Sequence, residues 1–180
     1  KLSANLLKKG EIIFVCMGKQ EFGQRALGHR SIICDPSKIE SVKKINSTIK
    51  LRDFWMPFCP SILDTFQSIY IKGNQKLDHD FMTNSVELTK IGKEHLKAAL
   101  HYADGTSRPQ IVKQKKNSKY FELIKAFKNK SGIGAVLNTS LNMHEYPIVT
   151  SPKDIVNEII KKNKLINFNI LIENNLFIRR

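Results

Sequence analysis

The sequence predicts a single mixed α/β domain, and three observations carry that expectation. Its 180 residues suffice for one hydrophobic core and are too few for two comfortable domains. Apolar residues make up 41% and charged residues 26%, near the averages of globular proteins. Helical and extended patterns alternate along the chain, with no internal repeat and no low-complexity linker.

The elements follow in order. The opening KLSANLLKKG has a helical pattern, and residues 11–17 read as a buried strand. No small-residue cleavage site follows a long apolar stretch, so this start does not read as a signal peptide. It lacks an initiating Met and begins inside a helical pattern, as expected of a piece of a longer chain. Asp35-Pro36 is predicted to open a helix, with Asp as N-cap and Pro at the first helical position. Ile39, Val42, Ile45 and Ile49 mark its apolar face. Residues 54–60 hold two prolines and must be extended or turning. A short strand is expected over 98–103, entering the turn ADGT. Tyr120, Phe121, Ile124 and Phe127 form a helical stripe, and residues 133–137 a short strand running into NTSLN. Ser151-Pro152 with Asp154 marks another helix start, carrying Ile155, Ile159 and Ile160. The final NFNILIENNLFIRR reads as two strands around Asn174-Asn175.

Composition narrows the function classes. Thirty Lys and Arg against sixteen Asp and Glu give a net charge of +14, which favours anionic partners. Lys dominates this excess, and the chain is also rich in Ile and Asn, the bias AT-rich coding produces. Seven Lys fall between Lys113 and Lys130, a run that a solvated helix face explains as well as a binding surface does. Cys16, Cys34 and Cys59 form no CxxC pair, which argues for reduced thiols and a cytoplasmic setting. No apolar run approaches the roughly 18 residues of a membrane helix. The five histidines include no i, i+4 pair, so no protein-held metal is expected. GxxxxGK[ST], GxGxxG and GxSxG are all absent.

Four polar clusters remain. In EFGQRALGHRS, Gly23 and Gly28 let backbone approach a ligand while Arg25 and Arg30 offer forked donors for phosphate oxygens. A turn with surface arginines fits the same residues. Lys50 and Arg52 lie two apart, so an extended backbone points both to one side. Two such cations repel by roughly 1–4 kcal/mol at contact distance, which an anion between them relieves. Phe54, Trp55 and Phe58 could wall that patch or simply belong to the core. In DGTSRPQ, Asp104-Gly105 makes a turn and Arg108 projects from the segment after it. In NTSLN, Asn138, Ser140 and Asn142 alternate just past an apolar strand, where open α/β sheets bind ligands. A capping network would use the same side chains.

Together, GKQEFGQRALGHRSIICDP, INSTIKLRDFWMPFCPSI, DGTSRPQ and VLNTSLNMHEYPIVTSP resemble the C-terminal domain of the O-carbamoyltransferase family, whose members act on nodulation factors and antibiotics. The likeness runs from about Glu11 to the C-terminus. That domain is similar to YrdC-type synthases, whose Lys-x-Arg and Ser-x-Asn signature is matched by Lys50-Leu51-Arg52 and Ser140-Leu141-Asn142. The resemblance implies a YrdC-like, twisted, mixed open sheet with flanking helices over residues 1–180. It implies a reaction in which Mg²⁺-bound ATP and carbamoyl phosphate give carbamoyl-adenylate. Lys50, Arg52, Ser140 and Asn142 would form the reacting site, with Arg25, Arg30, Arg108, Asn138 and Thr139 binding substrate and nucleotide. Transfer to a hydroxyl acceptor would fall to an N-terminal actin-like domain with a histidine-held metal, which nothing in this chain matches. Gln24, Met56 and Tyr102 stand where the family tends to have Pro, Arg and His, which leaves the roles of His101 and Tyr102 open. A basic nucleic-acid-binding module of the same fold is the alternative, although the chain lacks an aromatic ladder for base stacking.

Overall fold

A computed structural model describes residues 1–51, 53, 56–73, 78–162 and 168–178. Seven strands form one mixed sheet: β1 Ile13–Cys16, β2 Arg30–Cys34, β3 Cys59–Leu63, β4 Gln110–Val112, β5 Ala135–Ser140, β6 Asn169–Ile172 and β7 Asn175–Phe177. Their spatial order is β4-β3-β5-β2-β1-β6-β7. The β3–β4 and β1–β6 pairs are parallel and the others antiparallel.

Both faces of the sheet are covered, which explains why β1, β2 and β3 are buried at every position. Strand alternation sends Ile13, Val15, Ile33 and Val136 to one face, against Leu7 of α1 (Leu2–Lys8) and Tyr120, Ile124 and Phe127 of α5 (Ser118–Ser131). The other face carries Phe14, Ile32 and Leu137. There it meets Ile45 and Ile49 from α2 (Ile39–Ile45) and the π-helical turn Asn46–Lys50 that extends it. Ile155 and Ile159, after α6 (Pro152–Asp154), complete that layer. Two short helices, α3 (Gln67–Tyr70) and α4 (Lys90–His95), fill the first layer between β3 and β4.

Several expectations are met at their predicted residues, and three are corrected. Asp35 does not cap a helix at Pro36: its Oδ1 accepts from the Ser37 amide and hydroxyl, and α2 begins only at Ile39. Residues 98–103 form no strand. A 3₁₀ turn covers Lys97–Ala99, and the Gly105 amide and His101 carbonyl then close a tight loop. The last hairpin turns on Glu173-Asn174, one residue earlier than expected, with Ile172 opposite Asn175.

Register brings the loops together. Ser140 pairs with Ser31, Cys59 with Asn138 and Gln110 with Ser61, so β5 ends where β2, β3 and β4 begin. The connections over 17–29, 56–58, 100–109 and 141–150 therefore converge on one end of the sheet.

The capping box after the last of these is well formed. Asp154 Oδ2 accepts from the amides of Thr150 and Ser151 and from both their hydroxyls, while Ser151 Oγ accepts from the Asp154 amide. These bonds, that from the Thr150 hydroxyl first, hold its carboxyl down at about 2. A depressed folded value means the stabilisation is fully present above the unfolded carboxylate pKa of about 3.9 and is lost as pH falls through about 2. The gap in urea midpoint between the parent chain and Asp154→Asn should be widest above pH 5 and close near pH 2.

Candidate functional site

The β1–β2 connection is the piece that shapes this end of the sheet. Glu21 Oε1 accepts from three backbone amides, those of Leu27 at 2.6 Å, His29 at 2.8 Å and Arg30 at 3.3 Å. One charged oxygen thus answers three donors that the returning loop would otherwise leave unpaired. On the sheet side, Asn138 Nδ2 donates to the Ala26 carbonyl and to Ser61 Oγ, both at 3.0 Å. Gln110 Nε2 donates to the Leu27 carbonyl, and Ser61 Oγ to Gln110 Oε1 at 2.7 Å. Gly28, at φ +107°, passes directly over the Tyr120 ring. Residues 22–25 stay outside this clamp, with Phe22 and Arg25 exposed.

Arg30, expected among the phosphate contacts, is placed elsewhere. It is 6% exposed, and its guanidinium donates to the carbonyls of Met17, Gly18, His29 and Thr150. The fork therefore ties the β1–β2 loop to the segment after β5. It lines none of the cavities described below.

Lys50, Ser140 and Asn142 come together as expected, though by a different backbone route. Lys50 ends the π-helical turn, and Leu51 follows in the left-handed region at φ +46°, so this segment is not extended. Arg52, Phe54 and Trp55 lie outside the described residues. The Lys50 side chain is 1% exposed. Its Nζ donates to the Ser140 carbonyl at 2.5 Å, the Asn142 carbonyl at 3.0 Å and Asn142 Oδ1 at 2.6 Å, with Ser140 Oγ at 3.2 Å. Ser140 Oγ donates to the same Oδ1 at 2.6 Å, and Asn142 Nδ2 donates to the Met143 and Tyr146 carbonyls. Those four oxygens are neutral acceptors that satisfy the ammonium's donors.

Three cavities that share lining residues lie at this end of the sheet, and of the three clustered residues Ser140 borders one of them. The smallest, about 50 Å³, is lined by Asn138, Thr139 and Ser140 with Arg25 and Cys59. Arg25 and Met82 also line a second of about 380 Å³, together with Arg108. Arg108 and Cys59 continue into a third of about 330 Å³ that reaches His101 and Asp104. Arg108 Nη2 contacts Cys59 Sγ at 3.5 Å. Arg25, Arg108, Thr139 and Ser140 are thus gathered along one cleft, and Asn138 serves as both its wall and the loop clamp. Among the described residues no group of three His, Cys, Asp or Glu side chains could hold a metal ion.

Sequence reasoning missed Glu21 and Met82. Glu21 stood within the quoted motif, and a lone acid opening a glycine-rich return loop was the available signal. Met82, 4% exposed at φ +57°, sits in a polar segment and gave none. Much of the lysine run is engaged: Lys113 and Lys116 flank Asp80, Lys119 pairs with Glu173 and Lys125 with Glu122.

A mixed sheet with helices on both faces and cavities lined by Arg25 and Arg108 at one end defines an α/β domain with a candidate binding cleft. Residues 4–180 match the carbamoyltransferase C-terminus family, and the chain belongs to it. An uncharacterised protein of Methanocaldococcus jannaschii is 42% identical over 91% of this chain and 26% of its own length. The nodulation protein NolO of Bradyrhizobium diazoefficiens is 37% identical over 86% of this chain and 28% of its own. A 3′-hydroxymethylcephem-O-carbamoyltransferase of Streptomyces clavuligerus is 26% identical over 85% and 28%. The chain thus spans about a quarter of these relatives' length. Its fold is YrdC-like. Full-length HypF, solved in a phosphate- and nucleotide-bound form, superposes with TM-score 0.65 at 16% identity, over 98% of this chain and 25% of that one. Sua5 of P. abyssi, complexed with L-threonine, gives 0.64 at 13%, over 97% and 46%.

Gly28 tests the loop clamp. A Cβ there would lie 2.2 Å from Tyr120 Cδ1. Gly28→Ala should lower stability by about 2 kcal/mol or more, read as a shift in the urea midpoint, because strain at positive φ adds to the clash.

Proposed function

We propose that this domain binds ATP and carbamoyl phosphate and joins them into carbamoyl-adenylate, the activated form from which a hydroxyl acceptor is O-carbamoylated. One observation carries the reading: a cavity of about 50 Å³ bordered by Ser140, whose Oγ meets the Lys50 ammonium, shares Arg25 with a larger cavity that Arg108 also lines. The small polar hole suits a carbamoyl group and a phosphate, and the larger ones suit a nucleotide.

Mass balance requires one water: carbamoyl phosphate, ATP and water give carbamoyl-adenylate, phosphate and pyrophosphate. Water first cleaves the bond between the carbamoyl group and phosphate, releasing phosphate and carbamate. A carbamate oxygen then bonds to the α-phosphorus of ATP while the bond from that phosphorus to pyrophosphate breaks. No protein nucleophile is needed, so positioning and charge neutralisation are the catalytic contributions. Lys50 lends positive charge beside the carbamoyl end, with Ser140 and Thr139 orienting it by hydrogen bonds. Arg25 and Arg108 take the nucleotide phosphates, each contact worth roughly 1.5–3 kcal/mol. Arg52 is assigned beside them on sequence resemblance. Arg30 and Asn138 act by holding the loop that presents Arg25. Mg²⁺ is carried by the phosphates and water. Transfer to the acceptor is assigned to a separate N-terminal domain in the longer protein.

Isothermal titration with MgATP tests the binding step, and release of pyrophosphate on adding carbamoyl phosphate tests the chemistry. Arg25→Ala and Arg108→Ala should each weaken ATP binding by about tenfold or more while leaving the urea midpoint in place. Arg30→Ala should instead lower the midpoint, because it orphans buried carbonyls. Absence of ATP binding by the parent chain, together with salt-sensitive binding of long RNA, would replace this reading with the nucleic-acid one.

A further inference from the structure

A carboxylate sits oddly in this basic cleft. Asp104 lines the cavity of about 330 Å³ whose other wall holds Arg108, and Pro57, Phe58 and Ala99 form its apolar side. Beside phosphates an acid is unfavourable by charge alone, so its presence calls for a donor-rich group at that point.

The bonds Asp104 makes within the protein leave room for one. Its Oδ1 accepts from the Thr106 amide at 2.8 Å and from His101 Nδ1 at 3.1 Å. Both of these bonds fall on the same oxygen, the Thr106 hydroxyl adds a further contact, and the side chain remains 57% exposed. The Thr106 amide first, and then the Thr106 hydroxyl, hold the carboxyl below the usual carboxylate range, so it is an acceptor with no proton to offer at neutral pH. Ser85 Oγ lies across the cavity mouth, bonded to Thr106 Oγ1 at 3.0 Å.

Polarity along the cleft sets the direction of a bound nucleotide. Arg25 is at one end, Arg108 in the middle and Asp104 at the other. With phosphates against the guanidiniums, the sugar and base extend away from Arg25, past Asp104 and along the apolar wall. We propose that Asp104 is the specificity-determining residue of this site, accepting hydrogen bonds from the ribose hydroxyls and so selecting a ribonucleotide. This rests on the nucleotide reading above. Two neighbouring hydroxyls supply the two donors that a carboxylate accepts, and a deoxyribose lacks one of them.

The test compares MgATP with the magnesium complexes of 2′-deoxy-ATP, 3′-deoxy-ATP and purine riboside triphosphate, by titration calorimetry on the 180-residue chain. For the parent chain, at least one deoxy analogue should bind about ten- to a hundredfold more weakly than ATP. Asp104→Asn keeps an Oδ1 for Thr106 and His101 and turns the second oxygen into a donor. In that variant the deoxy penalty should fall to less than about threefold, through weaker ATP binding. Equal affinity of the parent chain for ATP and both deoxy analogues would overturn the inference, as would a deoxy penalty that survives in Asp104→Asn. A penalty found only for the analogue lacking the exocyclic amine would overturn it too, since the carboxylate would then read the base. No binding of any nucleotide would instead defeat the nucleotide reading itself, so the two failures are distinguishable.

Discussion

Everything at the functional end of this domain depends on how the β1–β2 connection is made to lie across the sheet. A loop of that length running over a buried surface carries backbone donors that water cannot reach, and each must find an acceptor. Glu21 meets this by gathering the amides of Leu27, His29 and Arg30 on one oxygen. Asn138 and Gln110 hold the carbonyls of Ala26 and Leu27 from the sheet, and Arg30 ties the loop's far end to Thr150. Arg25 reaches the cleft because the short stretch 22–25 that carries it is anchored by Glu21 before it and Ala26 after it.

This constraint also divides the cations by role. A guanidinium is planar, always charged and five-donored, so it can replace several missing partners at once in a buried junction. Arg30 is used that way. Lys50 is likewise enclosed, but its ammonium is held by Asn142 and by Ser140, which borders a small cavity. Arg25 and Arg108 line open space. The net charge of +14 therefore does not describe one continuous binding surface, since several lysines near α5 already face Asp80, Glu173 or Glu122.

How much of this could be read from the sequence followed the range of the interaction. The α5 stripe and the Ser151–Asp154 capping box are set within a few residues, and both lie where the pattern put them. The two buried faces of β1 were visible as a continuous apolar run. Asp35 misled because its side chain had a nearer donor in Ser37 than any helix offered. Residues 98–103 misled because a turn closed by Gly105 competes successfully with a ladder that has no partner strand there. For the site, motif resemblance named residues that the fold gathers at one end of the sheet, but it could not tell which of them are spent on backbone contacts. That distinction depends on Met17, Thr150 and Ser61, which are remote in sequence from the arginine or asparagine they meet.

Backbone strain points to the same end of the molecule. Among the described residues, four other than glycine have positive φ: Leu51, Met82, Glu145 and Glu173. The first follows Lys50, the second plugs the cleft wall, the third lies in the loop after β5 and the fourth turns the last hairpin. Each costs of order 1–3 kcal/mol if uncompensated. Such conformations persist only where surrounding bonds over-determine the chain, and those bonds are visible here: Glu173 Oε1 accepts the Gly18 amide, and its own amide meets the Cys16 carbonyl. A sheet buried on both faces supplies the stability that offsets them. The strained positions and the enclosed cations thus express one arrangement, in which a rigid interior holds irregular backbone at the single edge where a polar ligand can be met.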